Sequence, residues 1–403
     1  MAAVTRQRQC HRRRALRISI GIFMLTLIRD AELYTPEALG RRDILIARER
    51  IVEIAERIEL SGSPVDVIDA GGRTVWPGFV DALTHPAGGG GEGGYGNRTR
   101  EIDAESFIAA GITTPIGALG TDAVTRSLDV LFGKVMELRA KGLAAFMYSG
   151  SYRLPAVTLT GDVVRDLVLI EPVIGVGEVA IADHRGSQPS AAELRRLAAD
   201  TRLGGTISGK GGTVMLHLGD GPGRLQVMRA ALENSDLAAH SFYPTHCNRS
   251  QALLEESFRH AVAGGWIDLT ASTIPEFIEA GEVSVLETLS QALEQGVPLD
   301  RLTVSSDAGG SLPHYEGDQL LGSKAASPGV LLELALQTFN DCQSLFSALL
   351  PALTANPAAA LGLTDRGALV AGGFADLLLL DTSGRSLAGV MANGRWLQTP
   401  DSF

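Results

Sequence analysis

The sequence predicts a mixed α/β protein: a closed, TIM-like (β/α)8 barrel with a small β-sandwich domain formed by both chain ends. Three observations point there. Between residues 75 and 362, eight strand-like apolar runs alternate with runs that carry apolar residues at helical spacing. The flanking segments, 24–74 and 363–403, share a different texture of short apolar runs and charged turns. Polar residues suited to hold a cation stand at the carboxyl ends of several of the strands, where a closed barrel brings them together.

The first 23 residues stand apart. Arg6, Arg8, Arg12, Arg13, Arg14 and Arg17 precede an apolar run from Ile18 to Ile28, an order like the charged and apolar regions of a secretory leader. No small-residue cleavage site follows, and the run passes into Arg29-Asp30-Ala31-Glu32-Leu33, which reads as the continuation of a strand. Residues 1–23 are therefore expected to be an extension or a mis-called start before Met24, with a targeting segment as the alternative reading. From Met24 to Ile68, Leu25 to Ile28, Asp43 to Ala47 and Ile51 to Ile54 make an antiparallel meander. Phe374 to Asp381 and Gly389 to Arg395 repeat that texture, so both ends are expected to share one small domain.

The eight predicted barrel strands run Val75 to His85, Thr113 to Leu119, Ala144 to Gly150, Val173 to Ala180, Thr213 to Leu218, Ser241 to His246, Ile267 to Ser272 and Leu302 to Asp307. Helical spacing marks Thr125 to Arg139, Ala191 to Thr201, Gln251 to Ala263, Glu276 to Glu294 and Val330 to Phe339. An open, doubly wound sheet also holds eight strands, and periodicity alone does not separate the two. The polar residues do.

Composition narrows the function. A chain of 403 residues suits one large barrel with an accessory domain, and 47 glycines suit many tight βα turns. Its 35 basic and 46 acidic residues leave a net charge of −11, a field that repels nucleic acid and anionic membrane surfaces. After the first residues no apolar run reaches transmembrane length. Cys10, Cys247 and Cys342 lie far apart with no CxxC pair, which argues against a disulfide framework or a thiolate zinc site and fits a reducing cytoplasm.

Barrel strands are buried on both faces and should be apolar, so charged or imidazole side chains at their ends need a reason. His85 ends the first strand, Glu178 lies near the end of the fourth, and His217, His246 and Asp307 end the fifth, sixth and eighth. Any one of these has a bland reading, since a lone buried histidine is more often a satisfied core residue than a ligand. Together at one barrel mouth, three imidazoles and two carboxylates form a nest for zinc or a similar divalent ion.

The run Val75-Trp76-Pro77-Gly78-Phe79-Val80-Asp81 leading to His85, the Gly-Glu-Val-Ala of the fourth strand and Ala375-Asp376-Leu377 resemble the amidohydrolase superfamily. Gly88 to Gly94, Leu119-Gly120-Thr121-Asp122, Ala182-Asp183-His184-Arg185, Pro244 to Arg249 and Ser305 to Ser311 are similar to the motifs of the isoaspartyl (beta-aspartyl) dipeptidases. The likeness runs from Met24 to near the C-terminus. The Gly-rich loop alone is weak; joined to Thr-His-x-Asn-Arg and Ser-Asp-x-x-Gly-Ser it is specific.

That resemblance implies hydrolysis of the isopeptide bond of a small dipeptide, with one or two Zn2+ or other divalent ions per chain held by His85, Glu178, His217, His246 and Asp307. It implies Asp307 as general base and then acid, and Tyr152 as donor to the developing oxyanion. Glu92 would take the substrate ammonium, Arg185 and Arg249 its carboxylates, and Gly90, Thr121 and Ser311 further hydrogen bonds. It also implies a homo-oligomer, an octamer in the family.

Two positions depart from the pattern. Leu83-Thr84-His85 stands where the superfamily carries His-x-His, and Glu178 stands where the family bridges two metals with a carboxylated lysine. Three readings stay open: an active dipeptidase with one strong metal, a related amidohydrolase acting on another amide or N-acyl amino acid, and a degenerate paralogue that binds ligand without turnover.

Overall fold

The computed structural model describes residues 25–61, 64–316 and 319–400; the segment 1–23 lies outside them. Alternating apolar and polar residues fold the first segment into strands Leu25–Tyr34, Ala38–Ala47 and Arg50–Ala55, paired antiparallel in that order. Thr74–Pro77 lies parallel to the first of them and antiparallel to Leu377–Leu380 near the other end of the chain. With Asp66–Asp69 parallel to the first strand, and Leu387–Ala392 and Arg395–Gln398 added, strands from both ends join in a single eight-stranded sheet. Ile28, Leu33, Ile44, Val75, Leu377 and Leu379 give it a core of its own.

The run expected as one strand from Val75 to His85 is two. Thr74–Pro77 belongs to the end sheet and Phe79–Thr84 to the barrel. The chain turns between them at Gly78, where an added Cβ would lie 2.3 Å from Thr113 Oγ1, closer than any side chain fits.

We number the barrel strands β1 (Phe79–Thr84), β2 (Ile112–Gly117), β3 (Phe146–Ser149), β4 (Val173–Ile181), β5 (Thr213–Leu218), β6 (Phe242–Thr245), β7 (Ile267–Thr270) and β8 (Leu302–Ser305). β1 to β6 form one parallel sheet in sequence order, and β7 pairs parallel with β8. Cys247 N donates to Asp268 O at 3.1 Å beyond β6, and His85 N to Ala308 O at 2.6 Å beyond β1, so the two sheets meet at both edges. That closes the ring. Residues facing the helices (Val214, Leu216, Phe242, Leu269, Val304) join the main core, while Val80, Ile116, Tyr148, Met215 and Tyr243 form a second cluster.

The helices carry the start and stop signals their sequences promise. Ala191–Ser208 opens on a capping box between Ser190 and Glu193 and ends at left-handed Gly209. The expected helix from Glu276 to Glu294 is broken into Pro275–Glu279 and Val285–Gln295, because Gly281 adopts φ +105° and Ser284 caps a new start. After β8 an antiparallel hairpin, Ser311–Glu316 with Gln319–Ala325, intervenes before the next helix. Sequence reasoning did not foresee it. Among the described residues no helix is long and apolar enough to cross a membrane.

Candidate metal centre

Parallel strands carry their last side chains to one rim, and the five strand-end groups meet there. Glu178 stands at the middle. Its Oε1 lies 2.6 Å from His217 Nδ1 and 3.3 Å from His246 Nε2, and its Oε2 lies 3.5 Å from His85 Nε2. His85 Nε2 is also 3.1 Å from Asp307 Oδ1. Two of these side chains sit on strained backbone, since His246 has φ +60° and Asp307 φ +53°, a region costly for residues with a Cβ.

The donor set fits a divalent cation. Glu178, His217 and His246 are buried and offer ligand atoms within 4.8 Å of one another. Glu178 Oε2 is buried with no hydrogen-bond partner, an arrangement that costs energy unless a positive charge approaches. Burial pushes the Glu178 carboxyl up, but His217, His246 and His85 outweigh it and hold it well below the usual range. Burial likewise depresses His85, yet Asp307 and Glu178 raise it to about 9. His246 falls to about 4, through burial first and the nearby Arg249 charge second, so its ring stays neutral and able to ligate.

The remaining sequence-predicted residues gather around this nest. Tyr152, buried after β3, places its hydroxyl 2.8 Å from His217 Nδ1. Glu92 accepts from Thr121 Oγ1 at 2.6 Å and from Arg185 at 3.1 Å, so the residue expected to take an ammonium and one expected to take a carboxylate are paired with each other. Gly90 has φ +79°, and a Cβ there would come 2.8 Å from Asn97 O and 3.6 Å from the Ser311 Cβ, which sets the Gly-rich loop beside Ser311. Arg249 is half-buried at the rim, 3.9 Å from exposed Asp220.

Leu83 contributes no ligand. It is fully buried in the apolar cluster with Ile116 and Tyr148. The β1–β2 pairing also shifts register between Asp81 and Thr84, a bulge that breaks the strict alternation by which Leu83 and His85 would share one face.

Two contributors were missed from sequence. Asp183 Oδ2 lies 3.0 Å from His217 Nε2, and Thr270 Oγ1 2.5 Å from His246 Nδ1. Asp81 accepts from both the N–H and the hydroxyl of Ser306, beside Asp307. Asp183 lay inside a recognised motif, but an acidic residue in a loop is ordinary. Thr270 ends a strand, and nothing in its type marks it.

A (β/α)8 barrel with carboxylate and imidazoles converging on its mouth defines a hydrolase of the amidohydrolase superfamily. No protein-family model matches the chain. A dihydroorotase of Staphylococcus epidermidis is 34% identical over 117 residues, so the chain spans only 26% of that relative and the match 29% of this chain. A dihydroorotase of Lactiplantibacillus plantarum is 25% identical over 89% of each. Among solved structures, the L-hydantoinase of Arthrobacter aurescens shares the fold alone, at TM-score 0.64 and 16% identity over 94% of this chain and 96% of that one. The beta-aspartyl dipeptidase of Fervidobacterium islandicum AW-1, in complex with beta-Asp-Leu dipeptide, superposes at TM-score 0.85 and is 37% identical, over 94% of this chain and 97% of that one. The chain belongs to the beta-aspartyl dipeptidase family.

Proposed function

We propose that this chain hydrolyses the isopeptide bond of beta-aspartyl dipeptides, using one strongly held divalent cation, zinc, at Glu178, His217 and His246. What carries the proposal is the buried three-residue nest at the mouth of a barrel 37% identical to one whose structure holds a beta-aspartyl dipeptide. Two imidazoles and one carboxylate with an open position are sufficient for a catalytic zinc. Such a cation supplies Lewis acidity toward the carbonyl and lowers the pKa of water.

The rest falls to side chains of the chain itself. Asp307, fixed at 3.1 Å from His85, takes the proton of the attacking water and returns it to the leaving amine. Tyr152, whose pKa burial raises well above the ordinary value, stays protonated and donates to the developing oxyanion. Glu92 receives the substrate ammonium; Arg185 and Arg249 receive its carboxylates. Gly90, Thr121 and Ser311 add hydrogen bonds to the substrate. Arg185 has capacity for this, because Asp183 and Glu92 engage three of its five N–H groups.

A panel of beta-aspartyl and ordinary alpha-linked dipeptides, assayed beside elemental analysis, tests the proposal. Turnover confined to the beta-linked set and lost on chelation is expected. Cation present without turnover of any beta-linked peptide would overturn the substrate assignment and favour another amide.

A further inference from the structure

Asp183 touches both halves of the site. His217 directs Nδ1 inward, 2.6 Å from Glu178 Oε1 and 3.0 Å from His246 Nε2, and directs Nε2 outward, 3.0 Å from Asp183 Oδ2. The same carboxylate grips Arg185 through two parallel bonds, Nε to Oδ1 at 2.9 Å and Nη2 to Oδ2 at 2.6 Å. Arg185 N also donates to Oδ1 at 2.7 Å, which locks the acid against its own loop. Both Asp183 and His217 are almost wholly buried, so water does not compete for these bonds.

We propose that Asp183 is a positioning residue shared by the two halves of the site: it sets the metal-binding tautomer of His217 and orients Arg185 for the substrate. It rests on the reading of Glu178, His217 and His246 as the metal centre. The reasoning is one of proton placement. A cation among those three takes the Nδ1 lone pair of His217, which obliges the ring proton to sit on Nε2, and that N–H needs an acceptor. Two groups lie within 3.0 Å of Nε2: Arg185 Nη2, which only donates, and Asp183 Oδ2, which accepts. Asp183 therefore selects the tautomer that leaves Nδ1 free. It also turns one guanidinium edge toward itself, so the rest of the fork stays aimed at the site.

Asp183→Asn keeps the shape but can present an N–H to Nε2, favouring the tautomer that blocks Nδ1. Zn2+ affinity, measured by chelator competition on the metal-stripped proteins, should fall about 10- to 100-fold in Asp183→Asn. In Arg185→Met it should stay near the parent value, while KM for a beta-aspartyl dipeptide rises in both variants. Nitrogen NMR of labelled histidine in the zinc-loaded parent should show the His217 proton on Nε2. Should Asp183→Asn fail to fold, Asp183→Glu carries the test: it keeps an acceptor and should hold zinc better than Asp183→Ala. Equal zinc affinity in Asp183→Asn and the parent, an equal loss in Arg185→Met, or an unchanged KM in Asp183→Asn overturns the role of Asp183 and leaves the metal centre standing. A parent that binds no zinc overturns the metal centre and the role of Asp183 with it.

Discussion

Two of the buried carboxylates in this barrel are held in opposite ways. At the mouth, Glu178 is surrounded by imidazoles, is held ionised, and keeps one oxygen without a hydrogen bond, 3.5 Å from His85 Nε2. On β7, Asp268 is surrounded by hydroxyls: Thr303 donates to Oδ1 at 2.6 Å, and Thr245 and Ser305 to Oδ2 at 2.7 and 2.6 Å. Burial there outweighs those bonds and raises its pKa to about 6. Asp81, with both oxygens on Ser306, rises to about 7 for the same first reason. The difference teaches what to look for. A buried carboxylate saturated by hydroxyls holds strands together; one left short among histidines is waiting for a cation.

The comparison breaks first if the mouth does not hold metal. Replacing His217 and His246 together by alanine should reduce bound divalent cation to background and cost more than the roughly 100-fold typical of outer partners of a metal site. Unchanged metal content on elemental analysis would remove both from the centre.

Arg249→Ala sharpens the mouth into two tasks. Metal content should persist while kcat/KM on beta-aspartyl dipeptides falls by the equivalent of about 2 to 5 kcal/mol, the range for a charge pair that the bound substrate buries. Equal kcat/KM in variant and parent would exclude the arginine from recognition.

The interior nest should answer to pH and not to metal. The folded pKa of about 6 for Asp268 lies above its ordinary 3.8, so the folded state binds the proton more tightly. Its contribution to stability is therefore full at low pH and is lost as pH rises through that window. Asp268→Asn removes the titration, and its stability relative to the parent should rise by up to about 3 kcal/mol between pH 4 and pH 6, then level off. Denaturant melts across that range measure it, and a flat difference would refute the raised pKa. Smallest of all, Thr245→Val should cost about 1 kcal/mol, the net worth of one hydrogen bond to Asp268, with metal content unmoved.

Much of the site was legible because barrel strands are apolar and exceptions stand out: His85, Glu178, His217, His246 and Asp307 were conspicuous where Val or Leu belongs. Asp268 is as buried and as anomalous, yet in Ile267-Asp268-Leu269-Thr270 it reads as ordinary alternation. Its hydroxyl partners come from two other strands and the residues that end them, which sequence does not align. The break at Gly78 was hidden for a similar reason: a continuous apolar run fits one long strand until Thr113 leaves no room for a side chain. Asp183 needed the third dimension outright, because its partner His217 is 34 residues away.

The shared end sheet has a consequence for biosynthesis. Pro77 pairs with Leu377, so roughly 300 residues must be added before the strand at Thr74–Pro77 meets its second neighbour. At about 5 to 20 residues per second on the ribosome, that is a wait of about 15 to 60 seconds. During it the edge formed by the first strands is exposed to whatever the nascent chain encounters. The barrel can begin to assemble strand by strand as it emerges, but the end sheet is completed only after Leu377–Leu380 has been added.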